Sequence, residues 1–165
     1  METTQTLISK ALDLANDSYY RLVILVGEPR SGKSSALTEV AATYGSEVLN
    51  VNLVLSSQLM NLSWRERVLK IPSILQSLAT NNSGVLVLDN IEMLFDVDFR
   101  QDPLRLLEIM SRNTTILVSW TGLICDNKLR YAVPGHAEYR EYVSSNLITV
   151  SASQNSHQSV SRMEM

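Results

Sequence analysis

The chain has 165 residues, 45% of them hydrophobic and 19% charged, with a net charge of −3, which suits a single α/β domain and is too apolar for a disordered polymer. The acidic balance and the lack of any basic cluster argue against direct nucleic-acid binding by the monomer. The single Cys125 excludes an internal disulfide, no apolar run reaches the eighteen or so residues of a membrane span, and no leader pattern opens the chain, so a soluble cytoplasmic protein is expected.

Residues 4–16 place Leu7, Ile8, Ala11, Leu12 and Ala15 on one face of a helix. Leu22 to Val26 is continuously apolar, the pattern of a parallel strand covered on both sides. After a glycine loop, residues 33–44 have helical spacing and Gly45 stops them. Residues 47–54, EVLNVNLV, alternate enough to read as a strand near a sheet edge. Ser63 and Glu66 open a helix as a capping box, and Pro72 is expected to break or restart it before Gly84 ends the unit. The run VLVLD at 85–89 reads as a second buried strand with a carboxylate at its end. Asp102 and Pro103 start a helix running to about Arg112, and apolar runs at 115–120 and 147–150 complete the set. Strands alternating with helices predict right-handed crossovers and a mostly parallel sheet. The expected domain is a core over 1–150, followed by a flexible Ser-rich tail over 151–165.

The loop between the first strand and its helix reads GEPRSGKS, from Gly27 to Ser34. It matches G-x-x-x-x-G-K-[ST], in which backbone N–H groups turn inward around phosphates and the following helix N-terminus adds partial positive charge. Gly27, Glu28, Pro29, Arg30, Ser31, Gly32, Lys33, Ser34 and Ser35 are therefore the expected nucleotide-binding residues. Lys33 would neutralise the β/γ oxygens and the Ser34 hydroxyl would ligate Mg²⁺. Asp89, at the end of VLVLD, is the expected acidic partner of the metal, because strand ends in such a sheet converge on the ligand crevice. A guanine-specific site is not expected: the nearest match to Asn-Lys-x-Asp is Asn127-Lys128-Leu129-Arg130, and no glycine lies three residues after Asp89. A small-molecule kinase would want an Arg-rich lid, and no such run is present.

Together the glycine loop, VLVLDNIE and the polar-ended strand ILVSWTG resemble the ASCE division of P-loop ATPases, which includes the AAA+ proteins. The resemblance implies a three-layer αβα sandwich with a five-stranded, mostly parallel sheet in the order 5-1-4-3-2, and ATP with Mg²⁺ as cofactors. It also implies a polar sensor at the end of the fourth strand, Ser119 with Thr121 in reserve. More narrowly, QDPLRLL, SRNTTILVSWTG and YAVPGHAEYREY look like the small P-loop family of type III BREX phage-defence operons, called BrxF. That likeness covers residues 5–150 and implies partners in defence: a large AAA+ ATPase, a DNA methyltransferase and a phosphatase-like protein.

The chain departs from the AAA+ pattern at Asn90, which stands where a catalytic glutamate usually follows the metal aspartate. Asn orients a water but takes no proton from it. Glu92 is the substitute if the chain turns back there, and a solvated helix-cap charge is its plainer reading. No helical lid is expected after the fifth strand. Arg130 and Arg140, after the sensor strand, are the candidates for an arginine acting on a neighbouring subunit's γ-phosphate in a nucleotide-dependent homo-oligomer; each also reads as a surface ion-pair residue. Tyr19 and Tyr20 could stack on adenine or close the first helix. Tyr131, Tyr139 and Tyr142 read as core or partner surface, and His136 lacks a second ligand at metal spacing. The alternative to a weak, conditional ATPase is a nucleotide-gated interaction module that binds ATP without turnover.

Overall fold

A computed structural model describes residues 2–152 and 160–161. The elements, in chain order, are α1 (Thr4–Asn16), β1 (Leu22–Gly27), α2 (Lys33–Thr43), β2 (Val48–Asn50), α3 (Val51–Leu59), α4 (Trp64–Thr80), β3 (Leu86–Asp89), two 3-10 turns (Glu92–Phe95 and Val97–Phe99), α5 (Pro103–Met110), β4 (Ile116–Cys125), β5 (Lys128–Tyr131), β6 (Arg140–Val143), β7 (Ile148–Ser151) and β8 (Val160–Ser161). The central path of the sheet is β2-β3-β4-β1-β7-β8. Every pairing from β2 to β7 along it is parallel, and β8 adds an antiparallel edge. Counting only the five strands read from the sequence, this is the predicted 5-1-4-3-2 order.

The strand side chains alternate between two cores. Leu22, Ile24 and Val26 of β1 join Leu86, Leu88, Ile116, Val118 and Trp120 under α3, α4 and α5. Val23 and Leu25 join Val87, Leu117 and Ile148 under α1 and α2. Each such aliphatic side chain contributes about 1.5–3 kcal/mol by leaving water, so the continuous apolar runs are the two-sided strands of a three-layer sandwich.

Two expectations are corrected. Residues 47–54 are not one strand: β2 lasts three residues, and Asn50 then accepts from the Leu53 N–H as the N-cap of α3. Val51, Leu55 and Leu59, four apart, bury the helix face, so helical spacing overrode the local alternation. Nor does Pro72 break its helix, since α4 runs through it to Thr80. Proline removes the N–H that would serve the Val68 carbonyl, and the Gln101 side-chain amide donates to that carbonyl at 3.0 Å instead. The predicted Asp102 cap and Pro103 start of α5 are observed, with the Asp102 carboxylate accepting from the Arg105 N–H.

The fourth strand runs past the predicted 115–120 to Cys125, and its outer half leaves the parallel sheet. From Gly122 onward it pairs antiparallel with β5, and β5 pairs with β6, making a three-stranded ribbon that periodicity did not reveal. Asp126 and Asn127, both with positive φ, form the two-residue turn of the first hairpin. A Cβ on Gly122 would lie 1.9 Å from the Arg130 carbonyl, so only glycine lets β5 press this closely on β4. Among the described residues no helix follows β4, and no helix is long and apolar enough to cross a membrane. Of the expected tail, Val160–Ser161 pairs with β7, while 153–159 and 162–165 lie outside the described residues.

Gln101→Leu should cost about 1–3 kcal/mol by leaving the Val68 carbonyl without a donor. Pro72→Ala, which restores a helical N–H, should remove most of that cost. Urea denaturation of the two single variants and the double variant measures it; equal costs in both backgrounds would mean that Gln101 acts by packing alone.

Candidate functional site

The glycine loop leaves the carboxyl end of β1 in the centre of the sheet. Gly27 closes the strand, and a Cβ there would meet the Ser31 hydroxyl at 2.2 Å, so any other residue would force the Ser31 side chain to move. Gly32, at φ 89°, reverses the chain into α2, whose first residue is Lys33. The Lys33 side chain returns over the loop: its ammonium donates to the Gly27 carbonyl at 2.9 Å and the Glu28 carbonyl at 2.7 Å. Only 8% of Lys33 is exposed. Burial pushes its pKa below the ordinary 10.5, and the negative charges of Asp89 and Glu92 oppose that shift.

Asp89 joins the loop to two strands. Its Oδ2 accepts from the Ser34 hydroxyl at 2.7 Å, and its Oδ1 accepts from the Asn90 N–H at 2.9 Å and from the Ser119 hydroxyl. Ser119 is buried beneath the carboxylate. A cavity of about 530 Å³ opens above, lined by residues 29–35 together with Asp89, Asn90, Glu92 and Thr121. The structure thus brings Pro29, Arg30, Ser31, Gly32, Lys33, Ser34, Ser35, Asp89 and Glu92 to one cavity. Gly27 and Glu28 line an adjoining cavity of about 610 Å³, between the loop and the ends of β4 and β7.

Glu92 opens the 3-10 turn after β3. Asn90, at φ 56°, bends the chain back toward the loop. Asn52 holds that bend at three points. Its backbone N–H donates to the Asn90 carbonyl at 2.8 Å, its side-chain amide donates to Glu92 Oε2 at 3.2 Å, and its Oδ1 accepts from the Met93 N–H at 2.9 Å. The strand reading of 47–54 missed Asn52; recognising Asn50 as a helix cap would have put it in the first turn of α3.

The two arginines stand elsewhere, on the ribbon. Arg130 Nε lies 3.2 Å from Glu141 Oε2, an ion pair without hydrogen-bond alignment, and Lys128 reaches the same carboxylate at 2.9 Å. The Tyr139 hydroxyl and Lys128 hold the Glu141 carboxyl below its usual range. Arg140 donates to the Tyr139 carbonyl at 3.3 Å. Neither arginine lines the cavity over Lys33. Tyr19 and Tyr20 precede β1, at the end of the strand remote from the loop and about 20 Å from it, so they cannot stack on a base bound there. Tyr19 lies under the Arg112 guanidinium, 4.2 Å from ring centre, and the Tyr20 hydroxyl accepts from Arg105 at 2.8 Å.

A family model described as the ATPase family associated with various cellular activities (AAA) matches residues 23–128. The chain belongs to the AAA family. It is accordingly a nucleotide-binding, ATPase-like P-loop protein. The AAA match takes in the glycine loop, Asp89, Glu92, Ser119 and the first residue of β5, and leaves out Arg130, Arg140 and β7. No curated protein sequence matches the chain well enough to count as a relative. AAA proteins generally bind nucleotide and Mg²⁺, and the donor set here suits both. The Lys33 ammonium rests on carbonyls that anionic oxygens can replace, at a helix N-terminus. Ser34 and Asp89 offer a hard cation two adjacent oxygen ligands, with phosphate and water left to complete its shell. Among the described residues no group of three or more His, Cys, Asp or Glu converges on a metal position.

The lowered pKa of Lys33 gives a signed test. Between the lowered value and 10.5 the unfolded chain holds the proton and the fold does not, so stability should rise with pH across that window and level off above 10.5. As pH falls through the folded value, that advantage is lost. Lys33→Met should flatten the profile, as read by urea denaturation at stepped alkaline pH; an unchanged slope would place the titration on another group.

Proposed function

We propose that this chain binds ATP with Mg²⁺ and hydrolyses it weakly unless a second subunit or a partner completes the site. The observation that carries the reading is the carboxylate arrangement. Asp89 is engaged by Ser34, Ser119 and the Asn90 N–H, and Asn90 cannot take a proton. Glu92 is the remaining carboxylate of the cavity, tied to Asn52.

In this reading Lys33 and the loop amides bind the β- and γ-phosphates, while Ser34 and Asp89 hold Mg²⁺, which offsets charge on the phosphate oxygens when bound. Ser119, with Thr121 at the cavity wall, orients Asp89 and the phosphate end. Glu92 accepts the proton of the attacking water once it is released from Asn52. Arg130 is engaged by Glu141 within its own chain, so Arg130 acting across a subunit boundary must first exchange that partner, which supports low basal turnover. Asn90, whose amide takes no proton from water, supports the second reading, a nucleotide-gated interaction module that controls assembly without hydrolysis.

The likeness to the small P-loop family of BREX operons supports a place in phage defence, in the cytoplasm, beside a large AAA+ ATPase, a methyltransferase and a phosphatase-like protein. With a net charge of −3, the monomer would leave DNA contacts to those partners.

Hydrolysis per protomer should climb with protein concentration in the presence of Mg²⁺. Glu92→Gln should lower turnover by about 10²–10⁴-fold while ATP stays bound. Arg130→Ala or Arg140→Ala should lower turnover without weakening ATP binding, if either completes a neighbour's site. Bound ATP with no hydrolysis at any concentration, and no effect of Glu92→Gln, would replace this reading with the switch.

A further inference from the structure

A third cavity, of about 460 Å³, adjoins the phosphate cavity, with Pro29 and Thr121 in the wall between them. Glu28, Leu123, Tyr131, Val133, His136 and Glu138 line it. Leu123 and Val133 are 41% and 66% exposed at its rim. None of its lining residues is a lysine or arginine, whereas Glu28 and Glu138 give it two carboxylates. The His136 Nδ1 accepts from the Glu138 N–H, which leaves the proton of the neutral ring on Nε2. An apolar wall with acidic ends suits an occupant with an apolar stem and a cationic head.

The floor of this cavity reaches the catalytic turn. The Tyr131 ring stacks on Phe95, with centroids 3.5 Å apart and planes 8° from parallel. Phe95 is fully buried and is the last residue of the 3-10 turn that Glu92 begins. Burial, with the charges of Glu138 and Glu92, pushes the Tyr131 phenol up to about 12, so the ring lines this cavity as a neutral group. Phe95 is also held edge-on by Trp120 at 5.1 Å. A close-packed aromatic column of this kind passes a displacement on to its neighbours.

We propose that this cavity receives a lysine- or arginine-bearing apolar segment of a partner protein, and that its occupancy is passed through the Tyr131–Phe95 stack to Glu92. Charge complementarity selects the segment, and the exposed Leu123 and Val133 supply its apolar seat. The docking half stands on the cavity alone; the coupling half rests on Glu92 acting as the proton acceptor.

The full-length chain, labelled with ¹⁵N and free of nucleotide, is titrated with the peptide acetyl-Leu-Lys-Leu-Arg-Leu-amide, with its counterpart in which glutamate replaces both cations, and with 4-phenylbutylamine. Amide shifts at residues 28, 121–124 and 131–138, with further shifts only in the 92–95 turn, seen with the basic peptide and absent with the acidic one, support docking. Glu138→Lys should then weaken the basic peptide about fivefold, the worth of one half-exposed ion pair; Val133→Ser, which removes apolar seat at an exposed rim position without adding charge, keeps the test open if Glu138→Lys misfolds and should also weaken it. No shifts, shifts elsewhere, or equal response to both peptides overturns the site. Amine binding as tight as the peptide's overturns the partner segment in favour of a small amine. For the coupling, the basic peptide should change ATP turnover in the wild type and in Tyr131→Phe but not in Tyr131→Leu; a response that survives in Tyr131→Leu overturns the route through the stack. If Glu92→Gln leaves turnover untouched while the peptide shifts persist, the role of Glu92 has failed and the docking site has not.

Discussion

The carboxylate of Asp89 holds together parts of the chain that are far apart in sequence. It ends β3, accepts from Ser34 in the first turn of α2, and accepts from Ser119 near the middle of β4. A buried carboxylate needs such donors, because one without them would carry a desolvation cost of several kcal/mol. Charge satisfaction therefore fixes the same geometry that cation binding requires. A cation that takes a lone pair of the Ser34 hydroxyl leaves its O–H donating to Asp89, so the bond that ties loop to strand is kept when the cavity fills.

The buried ammonium of Lys33 plays the complementary part on the loop side. Resting on the Gly27 and Glu28 carbonyls, it satisfies oxygens that the tight return of the loop would otherwise leave facing one another. Positive and negative centres thus sit in one cavity, Lys33 on the carbonyls of its own loop and Asp89 on hydroxyls from α2 and β4 and the next N–H of its own chain. Such a site stays ordered while charged and still has unspent attraction for a ligand that carries both anionic oxygens and a divalent cation.

Elements whose signal is local were legible in the sequence. Continuous apolar runs marked β1, β3 and the inner half of β4, the glycine loop marked the phosphate site, and Asp102 with Pro103 marked the start of α5. The misreadings were cases in which a distant residue or a competing period decided the outcome. Pro72 stays helical because Gln101, from another segment, serves the freed carbonyl. Residues 47–54 fit a period of two until Asn50 caps a helix with a period near four. The ribbon of β4, β5 and β6 has short, mixed strands whose pairing depends on the fit of Gly122 against the Arg130 carbonyl, which no local pattern encodes. Within the site, the loop, Asp89 and Ser119 were found by motif, whereas Asn52 was hidden because its role lies in three hydrogen bonds to a turn some forty residues away.

The ten residues of β4 belong to two structures at once. Its inner half is clamped between β1 and β3, and its outer half is one leg of the ribbon. Trp120 sits at the junction, fully buried, with its indole N–H donating to the Arg130 carbonyl across the ribbon, and Ser119 is the next residue inward. The strand passes from sheet to ribbon with no hinge between, so the ribbon cannot slide along its own axis without drawing the Ser119 hydroxyl out of register with Asp89.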